Sequence, residues 1–335
     1  MLSRREFILG TGAALAFAGA RLADSYFARG PQLEPAQFTD QQFRIIEFLA
    51  KNFDVIGLAS GWHFRSKYDY LISDAGTLRG FQENGITNLF LEQKTSDQAW
   101  IDGARNKTMS TAAAADECTK SDINRWLSAA QNREACEKMA VSYGSASPLN
   151  VFAADERYKA LHFSFFANAV ADGVRSLTRL FFPQTAPGFI SAYVRAGVDH
   201  LIGGGTNVQN NTDDKTTVNF IFDHIKPGDV SIVEYGAEHL TGRARDRGAV
   251  DMVGGLQAKG LKVAIIKLSD SLADRGDYYR VRSKSPNFRS PDIDFTINAP
   301  PGEPDVIFNN PSLEKLYRAE QARTKSISPP EPAPK

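Results

Sequence analysis

The chain has 335 residues, balances 39 Lys and Arg against 39 Asp and Glu, and carries two cysteines. Its formal net charge of zero gives no reason to expect nucleic acid or an anionic membrane as partner. The length allows one large domain or two small ones, burying about 75% of the unfolded chain's surface.

The first twenty residues read as an address. "SRREFIL" (3–9) matches the twin-arginine pattern Ser-Arg-Arg-x-Phe-Leu-Lys, with Ile8 for Leu and Leu9 for Lys. A Gly/Ala-rich apolar run follows over 7–18, shorter than the roughly 20 residues of a membrane span. Ala18, Gly19 and Ala20 supply a small-x-small cleavage site. Residues 1–20 are therefore expected to be a twin-arginine signal peptide, read by the twin-arginine export machinery. The mature protein is then periplasmic or secreted, with no membrane attachment. That route carries folded proteins, often loaded with a cofactor, which points to a bound metal or cofactor.

In an oxidising compartment the even count of cysteines fits one disulfide between Cys118 and Cys136. The alternative is two buried thiols in helices. Neither has a Cys or His partner at zinc-finger spacing.

Continuous apolar runs of strand length then recur. They are "FDVIGLAS" (53–60), "ITNLFLEQ" (86–93), "NVFAAD" (150–155), "VSIVEYG" (230–236) and "KVAIIKL" (262–268), with "DVIFN" (305–309) as a sixth. Runs that do not alternate belong to strands buried on both faces. Between them lie helical stripes. Tyr68, Leu71, Ile72, Ala75, Leu78 and Phe81 share one face and stop at Asn84-Gly85. Asp122 is placed to cap a helix carrying Ile123, Trp126 and Leu127. A long helix is expected over 156–182, ended by Pro183, and a shorter one over 188–203. The stretch 243–259 connects the last two long strands and ends at Gly260.

The expected fold class is α/β, a mainly parallel sheet flanked by helices, with a helical insertion. Residues 21–325 form a single domain, within which the polar, Ala-rich region 94–149 is the insertion or lid. The Pro-rich tail 326–335 is expected to be disordered.

In an open parallel sheet, ligands bind at the carboxyl ends of the strands. The first run leads into Ser60, Gly61, Trp62 and His63; the second holds Glu92; the third ends in Asp155; the fourth leads into Gly236, Glu238 and His239. Imidazoles and carboxylates together either bind a divalent ion or make a carboxylate-oriented general base. His162, His200 and His224 fall in or at the ends of expected helices and read as structural. "GGGTNVQNNTDD" (203–214) lacks the Gly-Lys-Ser/Thr of a phosphate loop and reads as a flexible loop whose Thr212, Asp213 and Asp214 cap the helix reaching Phe222. "RGDYYRVRSKSPNFRS" (275–290) reads as a solvated loop, with binding of an anionic group as the alternative.

The strand ends "SGWH", "FLEQ" and "VEYGAEHL" resemble the superfamily that groups erythromycin esterases, haem-uptake ChaN proteins and Tiki/TraB metalloproteases. The resemblance spans roughly 53–268 and rests on few residues. It implies that His63 matches a first histidine, Glu92 the glutamate of the next strand, and Gly236 with His239 the late Gly-x-x-His. Asp155 resembles the acid after the third strand. Ser60 and Gly61 depart from the pattern, where members carry Gly and Glu, which leaves one acid fewer. The expected function is hydrolysis of an ester or amide bond in a small-molecule or peptide substrate, with His63, Glu92, His239 and Asp155 as catalytic residues. In a divalent-metal version His63, Glu92 and His239 are the ligands. The alternative is a periplasmic binder of haem or an iron compound without catalysis, with Trp62 as a stacking wall. No nucleic acid is expected as partner.

Overall fold

The computed structural model describes residues 38–60, 74–120, 129–145, 149–155, 214–240, 250–268, 294–297 and 306–327. The expected signal peptide, the helices over 156–182 and 188–203, the cap at Asp122 and the loop 275–290 lie outside these residues, as do Trp62, His63, His162 and His200.

The strands are β1 (Val55–Ser60), β2 (Asn88–Lys94), β3 (Asn150–Asp155), β4 (Ser231–Gly236), β5 (Val263–Leu268), β6 (Phe295–Ile297) and β7 (Val306–Phe308). They form one seven-stranded sheet in the order β3-β2-β4-β1-β5-β6-β7. Every neighbouring pair is parallel except β6 with β7. This is the expected mainly parallel α/β architecture. The long strands occupy the apolar runs, with β2 ending one residue past its run, at Lys94. The runs are continuous because alternate residues enter two different cores. Ile56 and Leu58 pack in one cluster, Val55 and Ala59 in the other. Strand β6 has only three residues, too few for a periodic signal.

Helices are α1 (Asp40–Asn52), α2 (Ala75–Glu83), α3 (Gln98–Arg105), α4 (Thr111–Lys120), α5 (Ala129–Gly144), α6 (Lys215–His224), α7 (Ala237–Leu240), α8 (Met252–Ala258) and α9 (Pro311–Ile327). A capping box starts α1: Gln42 N–H donates to Thr39 Oγ1 at 3.3 Å, and Thr39 N–H to Gln42 Oε1 at 3.0 Å. Helix α2, on the expected stripe, starts at Ala75, because Asp74 is extended and its carboxylate accepts the Thr77 N–H at 2.7 Å; Tyr68, Leu71 and Ile72 lie outside the described residues. The helix stops at Asn84, with Gly85 at φ 87° as expected. The tail expected from 326 starts inside α9, which runs to Ile327.

The helices form two layers. From α1 to α5, side chains such as Ile46, Phe81, Ile101, Ala115 and Met139 pack on the first face, against Leu58, Leu89, Val151 and Ile232. On the second face Val218 and Ile221 of α6, Leu240 of α7, and Met252 and Leu256 of α8 pack against Val55, Phe90, Val233 and Ile265. Helices α3–α5 connect the adjacent strands β2 and β3, and their residues belong to the same core as the sheet. Cys118 and Cys136, both fully buried, form a disulfide between α4 and α5.

This layering defines a crevice. Chain leaving β2 crosses the first face toward β3, whereas chain leaving β4 crosses the second face, over β1, toward β5. Neighbours β2 and β4 thus send their connections in opposite directions and on opposite faces. Such a switch point is where open α/β sheets bind ligands.

Candidate functional site

Glu92 and His239 meet at that switch point. Along β2, Phe90 packs in the second core and Leu89 and Leu91 in the first, so Glu92 shares the second face with Phe90. Its Oε2 accepts the N–H of Gly236, the last residue of β4, at 2.7 Å. That bond ties the two strand ends together and fixes one carboxylate oxygen.

Directly after Gly236 the chain turns into α7, which lies over β1 on the second face. Gly57 makes room for it: a Cβ there would sit 3.3 Å from Leu240 Cδ2. Leu240 is buried and anchors the turn, and the preceding residue, His239, is directed at the β2/β4 boundary. His239 Nδ1 lies 3.0 Å from Asp214 Oδ1 and 3.2 Å from Oδ2. A carboxylate only accepts, so this contact assigns the proton to Nδ1 and leaves Nε2 as the ring's basic atom. Nε2 faces Glu92 Oε1 across 3.9 Å, beyond direct hydrogen-bond range. The Asp214 side chain is wholly buried, while those of His239 and Glu92 keep 16% and 13% exposure. Water therefore reaches the imidazole and Glu92 but not the orienting acid. The buried ring of Tyr235 meets the imidazole edge-on, at 6.2 Å between centroids.

Asp214 was legible only as a helix cap. It does occupy the N-cap position of α6, but its carboxylate makes no capping bond. Its N–H donates to Val250 O at 3.0 Å, and the carboxylate is held to the ring of His239, 25 residues further on. No local motif marks such a pair.

The remaining expected residues are placed as follows. Asp155 ends β3 and is 1% exposed, with the same parity as Val151 and Ala153, which pack in the first core. By strand alternation it belongs to the face opposite Glu92 and His239. Ser60 pairs in register with Gly236 three residues before His63, and the described residues end there. His224 is structural, as expected: Nδ1 bonds the Phe220 carbonyl at 2.7 Å and the ring lies against Phe152 and Phe220.

Glu92 and His239 give two donor atoms suited to a divalent ion, with Asp214 behind the imidazole as such ligands usually require. Among the described residues no group of three His, Cys, Asp or Glu could hold a metal. Fold and site together define a doubly wound α/β protein with a buried Asp–His pair and a facing glutamate at its switch point. The chain matches no family model, no curated protein and no solved structure.

Proposed function

We propose that the protein is an exported hydrolase of an ester or amide bond, with His239 as the base that activates water. One observation carries this reading: a fully buried carboxylate, Asp214, lies 3.0 Å from Nδ1, while Nε2 faces a second, partly exposed carboxylate across 3.9 Å. Asp214 holds the orienting contact and Glu92 stands on the reacting side.

A water between Nε2 and Glu92 Oε1 is in reach of both atoms. His239 takes one proton from it as the oxygen bonds to the carbonyl carbon. The tetrahedral oxyanion then collapses, the C–O or C–N bond breaks, and the imidazolium returns the proton to the leaving alkoxide or amine. Asp214 stabilises the imidazolium in between, and Glu92 positions the water and compensates the same charge. If the site is loaded with a divalent ion, His239 Nε2, Glu92 and His63 would hold it, and the ion would acidify the water. Asp155, on the opposite face, is left out of this chemistry.

The strand-end likeness to erythromycin esterases and Tiki/TraB proteases supports the same reaction class, and the fit of the N-terminus to an export signal supports export. The test is hydrolysis of 4-nitrophenyl acetate and of an amino-acid 4-nitroanilide by the mature protein, with elemental analysis and an absorbance scan of wild type and His239→Ala. Hydrolysis lost in His239→Ala supports the reading. Near-stoichiometric metal lost with it selects the metal version. A Soret band, or no hydrolysis of either probe by folded protein, overturns the reading.

A further inference from the structure

The first face of the same crevice holds polar groups that the proposed chemistry does not use. Gln93 follows Glu92 on β2, and Glu234 precedes Tyr235 on β4. Glu234 shares parity with Ile232 of the first core, and the contact of Gln93 with the Tyr143 phenol puts it on the same face, opposite His239. Tyr143 of α5 and Trp100 of α3 close over this spot, their rings stacked at 5.9 Å and 23°. Gln93, Trp100 and Tyr143 are each 3% exposed. Gln93 Oε1 and Trp100 Nε1 are buried without a hydrogen-bond partner, and the buried Tyr143 hydroxyl has only the Gln93 amide beside it.

These atoms adjoin. Burial and then the charge of Glu234 push the Tyr143 phenol far above its ordinary pKa, with the neighbouring Gln93 amide partly opposing that shift. The hydroxyl is therefore neutral at any ordinary pH. One orphaned buried group costs about 1–3 kcal/mol, and folded proteins pair more than nine-tenths of such groups. More than one such atom among neighbouring side chains, on the first face of the β2/β4 boundary, marks a place for a guest.

The atom types select its chemistry. Gln93 Oε1 only accepts, Trp100 Nε1–H only donates, and the Tyr143 hydroxyl does either. A guest must both donate and accept. Carboxylates and phosphates leave Gln93 Oε1 unmet and face Glu234. An ammonium group leaves the Trp100 N–H unmet. An alcohol hydroxyl or a carboxamide meets all three.

We propose that Gln93, Trp100 and Tyr143 form a specificity chamber for an uncharged hydroxyl or carboxamide group of the substrate whose bond is cleaved at His239, an assignment that rests on the hydrolase reading for its link to catalysis. The group would enter from the β2/β4 crevice and fix the substrate on one face of the sheet while the scissile bond lies at the other.

The test uses mature protein and two isosteric probes, propionamide and propionate. The chain has three tryptophans, so three indole N–H signals are followed by NMR, that of Trp100 identified with Trp100→Phe. Propionamide should shift the Trp100 signal saturably and propionate should not. Gln93→Met and Tyr143→Phe should each weaken the propionamide response about fivefold or more, the worth of one hydrogen bond. His239→Ala should leave the response unchanged. An unmoved Trp100 signal in wild type, meaning an ordered water only, overturns the proposal. So does an equal response to propionate, or an undiminished response in both chamber variants. Failure of the hydrolase reading is seen separately, as absent hydrolysis in wild type with the propionamide response intact.

Discussion

The two edges of the sheet use similar residues to different ends. At the amino edge, Asn88 donates to Asp229 Oδ2 at 3.1 Å and to Ser231 Oγ at 3.2 Å, and accepts from Asn150 Nδ2 at 3.1 Å. Asp229 also accepts the Lys226 N–H at 3.0 Å. This network joins the starts of β3, β2 and β4. At the carboxyl edge of the same strands, His239 Nε2 and Glu92 Oε1 are held 3.9 Å apart by contacts made through their other atoms. Polar groups that satisfy each other directly stabilise a fold. In the proposed chemistry the second pair, pinned from behind and held beyond mutual bonding distance, admits water between them.

Substitutions should therefore separate the edges, and the largest effect is expected at Asp214. Asp214→Asn should lower hydrolysis about 10²–10⁴-fold by weakening the hold on the Nδ1 tautomer. Circular dichroism should stay native; a matching collapse of the fold would erase the contrast. Glu92→Gln keeps an oxygen for Gly236 N–H but turns a donor amide toward Nε2, and should cost about a hundredfold in kcat/KM. Removing the disulfide with Cys118→Ser and Cys136→Ser should cost about 3 kcal/mol in urea unfolding, with kcat unchanged. A changed kcat would tie α4 and α5 to the chemistry.

Asn88→Ala leaves buried partners unmet and should cost about 1–3 kcal/mol of stability, again without loss of activity. The smallest effect concerns pH. Burial raises the Asp229 carboxyl pKa, but hydrogen bonds from Lys226 N–H, Asn88 and Thr87 outweigh it and hold the group below its ordinary value. Its contribution is thus present above the unfolded carboxylate pKa of about 4 and is lost as pH falls through the lower, folded value. Asp229→Asn should flatten the acid limb of a Tm–pH profile slightly, by a fraction of a kcal/mol because the group is partly solvated. An unchanged limb would remove Asp229 from the network.

Much of the framework could be read from local pattern. The runs ending at Ser60, Asp155, Gly236 and Leu268 are strands because their apolar side chains divide between two cores, and the disulfide follows the chain's one cysteine pair. Helix α1 carried its start in Thr39 and Gln42, a signal two residues wide that periodicity alone passes over. Asp155 was legible as a strand end, but its face depends on a parity that its own residue type does not reveal. Gln93 and Tyr143 looked like ordinary strand and helix residues.

What the sequence determined by itself was the set of strands other than β6 and the concentration of acids and imidazoles after their carboxyl ends, since both follow from side chains a few residues apart. Only the tertiary structure decided that β4 lies between β2 and β1, and so that Glu92 and His239 are neighbours. Only it brought Asp214 behind the imidazole, because that contact exists where the start of α6 meets α7 on the second face. Strand order and helix layering come from contacts between distant segments. They are settled by which packing covers both faces of the sheet at once, and no short stretch of the chain carries that information.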